Sequence, residues 1–160
     1  MTKEEFTEGI TAMTEQLYRV SCGLLRSEAD REDAVQETIL LAWEKLHTLK
    51  HEEFFRTWVV RILINECRGI GRQRGRVLPM DELSASVDEA APSDEQTREL
   101  RRAVMALPDT LRLPVILHYV EGYGVTEAGK ILGIPAGTVK SRLSRARKQL
   151  KMELEEAETR

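Results

Sequence analysis

Almost no part of this sequence alternates polar and apolar residues with a period of two, the pattern of a half-buried β-strand. Val, Ile, Leu and Ala dominate the apolar residues, and Gly and Pro are sparse. Helices are therefore the expected elements, and the predicted fold class is all-α. With 41% hydrophobic and 32% charged residues, the composition is typical of a chain that folds in water.

Charge is distributed along the chain in blocks, although the formal net charge is only -3. Residues 55–76 hold six arginines and one acid, whereas residues 81–99 hold seven acids and one arginine. Residues 78–96 are also rich in Ser, Ala and Pro and have no helical apolar stripe, so they bury too little apolar surface to offset their chain entropy. We therefore predict two small helical domains, residues 1–76 and 98–160, joined by a flexible acidic linker, residues 77–97.

Targeting and redox features favour a cytoplasmic location. The start, MTKEEFTEG, lacks the basic and apolar regions of a signal peptide, and no later segment offers about 18 consecutive apolar residues. Cys22 and Cys67 stand far apart and in no metal-ligand spacing, which suits a reducing compartment. We expect both cysteines to be small core residues.

The stretch GIPAGTVKSRLSRARKQL, residues 133–150, is strongly basic and contains no acid. On a helical wheel one narrow apolar stripe contains Val139, Leu143, Ala146 and Leu150, as a core-facing helix requires. The opposite face contains Ser141, Ser144, Arg145 and Lys148, flanked by Lys140, Arg147 and Lys151. Six cations between residues 140 and 151 without an acid repel one another unless a polyanion neutralises them. Duplex DNA is therefore favoured over an ordinary solvated face.

A tight turn precedes this basic helix. Gly133 and Pro135 are residues that end one helix and begin another, and the short segment from Thr126 to Leu132 is the predicted first helix. Two short helices joined in this way predict a helix-turn-helix whose second member, the recognition helix, enters a DNA major groove. Ala128 and Gly129 would allow the two helices to cross closely.

The segment from Glu28 to Thr48 predicts a helix capped by Ser27. Its predicted core stripe contains Val35, Ile39, Ala42, Leu46 and Leu49. The reverse face combines acidic and amide groups with large apolar ones, and we call it the docking face: Asp33, Gln36, Glu37, Leu40 and Trp43. The helix dipole alone would explain the acids but not Leu40 and Trp43. Apolar anchors surrounded by charge are typical of a protein-docking site.

Aromatic residues stand directly before the basic stretch in HEEFFRTWVVRILINECRGIGRQRGR. Aromatic faces combined with cations are typical of surfaces that hold unpaired bases. Simple helical core packing accounts for Phe55, Trp58, Ile62 and Leu63. The remaining candidates for touching a base are Phe54, the loop of residues 49–53, and Asn65, whose amide can both donate to and accept from a base edge.

Taken in order, these segments resemble the extracytoplasmic-function group of bacterial RNA polymerase sigma factors. EADREDAVQETILLAWEKL and FRTWVVRILIN resemble the N-terminal domain, while LPDTLRLPVILHYVEG and GIPAGTVKSRLSRARKQL resemble the C-terminal domain. The resemblance covers nearly the whole chain apart from the linker. It implies a factor that docks on core RNA polymerase, reads the minus-thirty-five promoter element and melts the minus-ten element. It also implies an anti-sigma factor as a partner.

The resemblance further implies roles for individual residues. The docking face would meet the polymerase clamp helices. A base-capture surface, formed by His51, Phe54, Asn65, Arg68 and Arg72, would hold the melted non-template strand. Within it, Asn65 and the loop of residues 49–54 would form the pocket for a flipped base, and Arg74 and Arg76 would lie near the upstream backbone. Base edges of the duplex would face Lys140, Ser141, Ser144 and Arg145. Phosphates would be held by Gly137, Thr138, Arg142, Arg147 and Lys148.

The sequence departs from the family pattern at several positions. His51, Glu52 and Glu53 replace smaller or less charged residues of the base-capture loop. Gly124, Ala128 and Gly129 stand where the family usually has a capping Ser, a bulky aliphatic residue and Ala. We expect Gly129 to cost about 1 kcal/mol relative to Ala inside a helix. Pro114 predicts that its helix starts late or kinks there.

Two other classes of function remain open at this point. One is a helix-turn-helix regulator that dimerises through its N-terminal helices. The other is a metal protein or enzyme that uses His47 and His51 at helical i, i+4 spacing, but no third ligand accompanies them. No Gly-rich phosphate loop and no nucleophile-base set is present. We therefore predict no enzyme activity, no catalytic residue, no metal, no cofactor and no small-molecule substrate.

Overall fold

The computed structural model describes residues 1–74 and 94–159. These residues form seven α-helices, short 3₁₀ and π-helical turns, and no strand, which confirms the predicted all-α class. The chain divides into two units, Met1–Val77 and Leu78–Arg160. Most of the predicted linker, together with Arg76, lies outside the described residues. None of the described helices is long and apolar enough to cross a membrane.

Three helices build the first unit: α1 (Lys3–Cys22), α2 (Glu28–Glu44) and α3 (Phe55–Gln73). Each of the three packs against the other two. Their core contains the fully or almost fully buried side chains of Leu17, Val20, Val35, Val60 and Leu63. Two 3₁₀ turns, Leu46–Thr48 and Glu52–Phe54, connect α2 to α3. The mutual packing places α2 and α3 side by side, each with one face left to solvent.

Helix α2 begins where the sequence predicts and ends earlier than predicted. The Ser27 hydroxyl accepts a hydrogen bond from the Asp30 amide at 3.3 Å, which confirms Ser27 as the N-cap. The α-helix ends at Glu44, and the residues up to Thr48 form a separate 3₁₀ turn. Of the predicted core stripe, Val35 and Ala42 are buried, whereas Ile39, Leu46 and Leu49 are half-buried.

Aromatic rings join the three helices of the first unit. Phe6 of α1 lies edge-on to Phe55 of α3, with ring centroids 5.8 Å apart. Phe55 and Leu63 are buried, and Trp58 and Ile62 are half-buried, so the interpretation of these four residues as core is confirmed in its main part. The edge-on geometry is one that aromatic pairs prefer.

The two cysteines have different environments, so the prediction that both are core residues is wrong for Cys22. Cys67 is buried in α3, and burial, with a smaller contribution from the charge of Glu66, raises the pKa of its thiol to about 12. Cys22 is exposed because it lies on the solvent-facing side of α1, in line with the exposed Glu15 and Arg19.

The second unit contains α4 (Glu95–Ala106), α5 (Asp109–Val115), α6 (Val125–Leu132) and α7 (Ala136–Thr159). The long helix α7 packs against the other three. The core of the second unit includes the buried side chains of Leu113, Leu117, Val139, Leu143 and Ala146.

Helix α4 begins inside the segment that was predicted as linker. Asp94 caps it, since its carboxylate accepts a hydrogen bond from the Gln96 amide at 3.1 Å. Residues 95–97 are therefore helical.

Pro114 does not delay its helix, so that alternative is wrong. Helix α5 starts at Asp109 and contains Pro114. A π-helical segment, Ile116–Val120, follows directly after α5, so the chain departs from α-helical geometry just past the proline. Proline removes one backbone donor from a helix, and π-turns are typical of places where the regular ladder is interrupted.

Candidate functional site

A helix-turn-helix forms in the second unit, as predicted. Helices α6 and α7 are joined by a three-residue turn, and Gly133 ends α6 in the left-handed region with φ 72°. The amide of Ile134 donates to the Gly129 carbonyl at 2.9 Å. The Pro135 carbonyl accepts from the amides of Thr138 and Val139, so Pro135 caps α7 and lies one residue before it. Gly133 and Pro135 thus have the roles that the sequence predicts.

Gly129 is required by this turn, which overturns the expectation that Ala would be better there. A Cβ built on Gly129 would lie 2.6 Å from the backbone oxygen of Ile134, closer than a carbon and an oxygen can approach. The turn folds back over the end of α6, so its backbone fills the space that a side chain at residue 129 would occupy. Ala128 beside it is completely buried, and the two small residues permit the close crossing that the sequence predicts.

The apolar stripe of α7 faces the core. Val139, Leu143 and Ala146 are buried, and Leu150 is half-buried. Of the nine residues predicted to contact duplex DNA, the exposed ones are Gly137, Lys140, Ser141, Arg145, Arg147 and Lys148. The half-buried ones are Thr138, Arg142 and Ser144. All nine belong to α7, and the structure brings them together along one rigid helix.

The cations of α7 are available for a polyanion. Within the described parts of the chain, no ion pair joins an acid to Lys140, Arg142, Arg145 or Lys148. The Ser141 hydroxyl donates to the Thr138 carbonyl at 3.3 Å, which leaves its oxygen free to accept. Cations without internal partners fit a surface that contacts phosphates and base edges.

Arg147 has a partner that sequence reasoning missed. Its Nη1 donates a hydrogen bond to the hydroxyl of Tyr119 at 2.8 Å, and both residues are exposed. Tyr119 belongs to the π-helical segment, 28 residues earlier in the chain. No spacing rule relates positions so far apart, so only the three-dimensional structure could find this contact.

The docking face is formed on α2. All five of its residues are exposed, and its large apolar members, Leu40 and Trp43, are 57% and 47% exposed. Exposed apolar side chains of this size next to acids are typical of a protein interface. Trp43 also packs against the buried ring of Phe6, with centroids 5.1 Å apart, so its position is fixed from the inner side.

The base-capture surface divides into two parts along α3. His51 and Phe54 lie at the second 3₁₀ turn, with ring centroids 6.1 Å apart in an edge-on arrangement, and Phe54 is 45% exposed. Asn65, Arg68 and Arg72 are exposed further along α3, at spacings that put them on one face of the helix. The rise of an α-helix separates Phe54 from Asn65 by about 16 Å along the axis. The pocket that the resemblance implies between Asn65 and the loop of residues 49–54 stays a prediction.

Arg74 has a structural partner. Its Nη2 lies 3.0 Å from the Oδ1 of Asp30, a carboxylate on a residue that is only 8% exposed. This ion pair joins the end of α3 to the start of α2. Part of the positive charge that was predicted to contact DNA upstream is therefore used inside the first unit.

The histidine pair that could have suggested a metal site is not helical. His47 belongs to the first 3₁₀ turn, and His51 is the extended residue before the second, because α2 has already ended at Glu44. In residues 1–74 and 94–159, no group of three or more His, Cys, Asp or Glu side chains could hold a metal ion.

Comparison with known proteins connects both units with one family. The family model for sigma-70 region 2 matches residues 10–77, and the model for sigma-70 region 4 matches residues 97–150. The chain is 30% identical over 141 residues to the ECF RNA polymerase sigma factor SigM of Mycobacterium tuberculosis, covering 84% of this chain and 69% of that protein. It is 24% identical to the ECF RNA polymerase sigma factor SigW of Bacillus subtilis, covering 95% of this chain and 90% of SigW.

Solved structures give the same result. The sigma factor RpoE in complex with the anti-sigma factor NepR, from Bartonella quintana, superposes on this chain with a TM-score of 0.77. The identity is 26%, and the match covers 95% of this chain and 98% of that one.

Proposed function

We propose that this chain, which belongs to the extracytoplasmic-function group of the sigma-70 family, directs core RNA polymerase to promoters through three surfaces of its own. It is an alternative transcription initiation factor, and the three surfaces are the docking face on α2, the base-capture surface on α3 and the exposed face of α7. Two features of one chain carry the assignment: an acidic, apolar docking face, and a helix-turn-helix in which Lys140, Arg142, Arg145 and Lys148 have no ion-pair partner among the described residues.

Polymerase docking is assigned to α2. Leu40 and Trp43 would enter apolar contacts on the clamp of the polymerase, while Asp33 and Glu37 would meet basic groups there. Exposed anchors supply most of the binding energy in such interfaces, and the surrounding charges supply selectivity. Gln36 lies on the same face and would add a hydrogen bond.

Upstream promoter recognition is assigned to α7. Arg145 would read a base edge in the major groove, together with Lys140, Ser141 and Ser144. The other α7 residues predicted above would hold phosphates and set the register of the helix on the duplex. Gly137 lies in the first turn of α7, where a backbone amide without a helical partner can donate to a phosphate. The Thr138 amide already donates to the Pro135 carbonyl, so Thr138 would contact a phosphate through its hydroxyl.

Strand opening is assigned to the base-capture surface. Phe54 and His51 would stack on or flank an unpaired base of the minus-ten element, and Asn65 would hydrogen-bond a second position further along the strand. Arg68 and Arg72 would follow the backbone of the same strand. Base stacking of this kind contributes about 1–3 kcal/mol per base.

The two units would act together through the chain that joins them. The part of the predicted linker that precedes α4, residues 77–94, would form an acidic tether. Two moderate contacts on one tether gain avidity only where both promoter elements are present at the right spacing. Neither promoter contact requires this chain to catalyse a reaction, because binding energy alone holds the separated strand.

The proposals on regulation and location rest on the family. We propose that an anti-sigma factor binds this chain, as one binds the sigma factor RpoE in the solved complex. We also propose that the chain works in the cytoplasm, where core polymerase and promoter DNA are present. It would act without a small-molecule substrate, a cofactor or a metal.

The decisive experiment is run-off transcription on a promoter library with bacterial core polymerase, with and without this chain. The expected result is initiation that depends on the chain and enriches two promoter elements at fixed spacing. A pull-down of core polymerase with the chain is the parallel binding assay. Binding to a palindromic duplex as a symmetric dimer, without polymerase capture or initiation, would contradict the proposal and favour the dimerising regulator.

A further inference from the structure

The contact between Tyr119 and Arg147 joins two separate elements at the surface of the second unit. Tyr119 is 54% exposed and lies near the end of the π-helical segment, whereas Arg147 is exposed on α7. The distance of 2.8 Å between Arg147 Nη1 and the tyrosine oxygen is that of a well-formed hydrogen bond. An exposed arginine normally samples many rotamers, so this bond restricts the guanidinium to a defined place.

Tyr119 is itself held in place by its neighbour. The ring of His118 stands edge-on to that of Tyr119, with centroids 4.9 Å apart. His118 Nδ1 lies 2.8 Å from the carbonyl oxygen of Tyr123, and since a carbonyl only accepts, this nitrogen carries the proton and donates. The turn after the π-helical segment thus fixes His118, and His118 supports the ring of Tyr119.

The hydrogen-bonding capacity of the pair is only partly used. A tyrosine hydroxyl can accept and donate at once, and the hydrogen bond from Arg147 uses only its capacity to accept. Among the described residues, the Tyr119 hydroxyl hydrogen has no acceptor. A guanidinium has five N–H donors, so Arg147 retains several beyond the one directed at Tyr119. The pair therefore presents one O–H donor, several N–H donors and one positive charge, which suits a single anionic group with several oxygens.

We propose that Tyr119 and Arg147 form a composite site for one backbone phosphate of duplex DNA. Tyr119 acts there both as a positioning residue for Arg147 and as a second donor to the phosphate. This inference rests on the proposed function, in which Arg147 holds a phosphate.

A phosphate is favoured over a base edge for a geometric reason. Arg147 flanks the polar face of α7 rather than lying at its centre, so it faces a wall of the groove when the centre of the helix faces the bases. Tyr119 reaches this place from outside α7, on the π-helical segment rather than on the recognition helix. Phosphates form the groove walls, and contacts to them fix orientation without reading sequence.

The test compares three variants of the full chain: Tyr119→Phe, Arg147→Ala and the double variant. The probe is a short duplex of scrambled sequence, titrated over a range of potassium chloride concentrations. Tyr119→Phe keeps the ring and its contact with His118 and removes only the hydroxyl. Tyr18→Phe, which changes a half-buried tyrosine of the first unit, is the matched control.

We expect Tyr119→Phe to weaken duplex binding by about 10- to 100-fold, which is the contribution of one hydrogen bond to a charged partner. Its salt dependence should equal that of the parent chain, because no charge is lost. Arg147→Ala should weaken binding and lower the salt slope by about 0.9, the value for one phosphate. In the Arg147→Ala background, the additional loss from Tyr119→Phe should be smaller than in the parent chain, because the positioning role has nothing left to position.

Two outcomes would overturn the inference in different ways. Unchanged duplex affinity for Tyr119→Phe beside a clear loss for Arg147→Ala would mean that the hydrogen bond only ties the π-helical segment to α7. The proposed DNA surface would then remain intact. Unchanged affinity for Arg147→Ala would remove the phosphate role of Arg147 and the composite site with it, while run-off transcription would still test the sigma function independently.

Discussion

The indole of Trp43 lies against the phenyl ring of Phe6, with ring centroids 5.1 Å apart. Phe6 is buried on α1, whereas 47% of Trp43 remains exposed on α2. Helix α1 therefore packs against the inner side of the Trp43 ring, whereas the outer side of the ring stays exposed to a partner. Leu40, three residues earlier, is 57% exposed and adds apolar area to the same face. Pre-organised anchors of this kind bind with a smaller entropic cost.

Leu40→Ala separates docking from stability better than any change at Trp43. Because Leu40 is mostly exposed, we expect the free energy of unfolding to change by less than about 0.5 kcal/mol. Loss of an interface anchor should weaken polymerase binding by about 1–2 kcal/mol, or roughly tenfold. Affinity for core polymerase and thermal unfolding are the two measurements.

The control for Leu40→Ala is Leu100→Ala, which removes the same atoms from a leucine that is 45% exposed on α4. Equal polymerase affinity for the parent chain and Leu40→Ala would exclude this face as the docking site.

Arg145 and Lys148 should differ in what they contribute to duplex binding. Arg145→Ala should weaken binding to the selected upstream element by about 1–3 kcal/mol and affect a scrambled duplex less. Lys148→Ala should weaken binding to both duplexes equally and lower the salt slope by about 0.9. Binding isotherms on matched and scrambled duplexes at several salt concentrations measure both effects.

Arg102→Ala is the matched control for these two variants, since Arg102 is exposed on α4 and outside the recognition helix. Equal losses on the two duplexes for Arg145→Ala would reject base reading by that residue.

Asn65→Ala should act on promoter opening alone. Asn65 is exposed on α3, so its removal should leave folding and upstream duplex binding unchanged. The loss of amide contacts to an unpaired base should reduce the fraction of open complexes several-fold, since one hydrogen bond contributes about 0.5–1.5 kcal/mol. Permanganate reactivity of thymines in the minus-ten element reports the opening, with Gln73→Ala on the same helix as the control. An open-complex yield equal to that of the parent chain would show that Asn65 does not hold a base.

The features that could be predicted from the sequence are those that depend on local order. The stripe of Val139, Leu143 and Ala146 is buried as helical periodicity requires. Ser27 caps α2, and Gly133 ends α6, because caps and left-handed turns depend on one or two residue types. The exposed docking face follows from the same periodicity.

The features that the sequence could not predict depend on contacts between residues that are distant in the chain. The contact of Tyr119 with Arg147 and the pairing of Arg74 with Asp30 join residues far apart in the chain. Cys22 lies on the exposed side of α1, although its residue type favours burial. Helix propensity alone predicted that Gly129 lowers stability relative to Ala, because propensity takes no account of the turn backbone that folds over this position.

Gly129→Ala should destabilise the second unit, against the rule for helix interiors. The added Cβ would lie 2.6 Å from the Ile134 oxygen, and relief requires the turn between α6 and α7 to move. Forcing an extra methyl group into such a place costs about 1–3 kcal/mol. Thermal unfolding is the measurement.

Gly137→Ala is the matched control for Gly129→Ala. A Cβ built on Gly137 meets no atom within 4 Å, so this change should be neutral or stabilising. A melting temperature for Gly129→Ala at or above that of the parent chain would show that the turn relaxes freely.

The two thiols should differ in reactivity in the native state. Cys22 is exposed, whereas Cys67 is buried with its pKa raised from 9.0 to about 12, so Cys67 remains protonated and covered at neutral pH. Alkylation of the native chain at neutral pH should label Cys22 rapidly and Cys67 only after denaturation. Cys22→Ser is the control, since it should abolish rapid native labelling.

The same burial makes part of the stability dependent on alkaline pH. The folded state favours the protonated Cys67 thiol, so its contribution is fully present below about pH 9 and is lost as the pH rises toward 12, because the unfolded chain ionises first. Chemical denaturation at increasing pH should show this decline. Cys67→Ala should lower stability at neutral pH by leaving a small cavity. Because the variant lacks the thiol, the difference from the parent chain should shrink as the pH rises toward 12. An alkaline slope that is the same in both proteins would mean that other groups cause the decline.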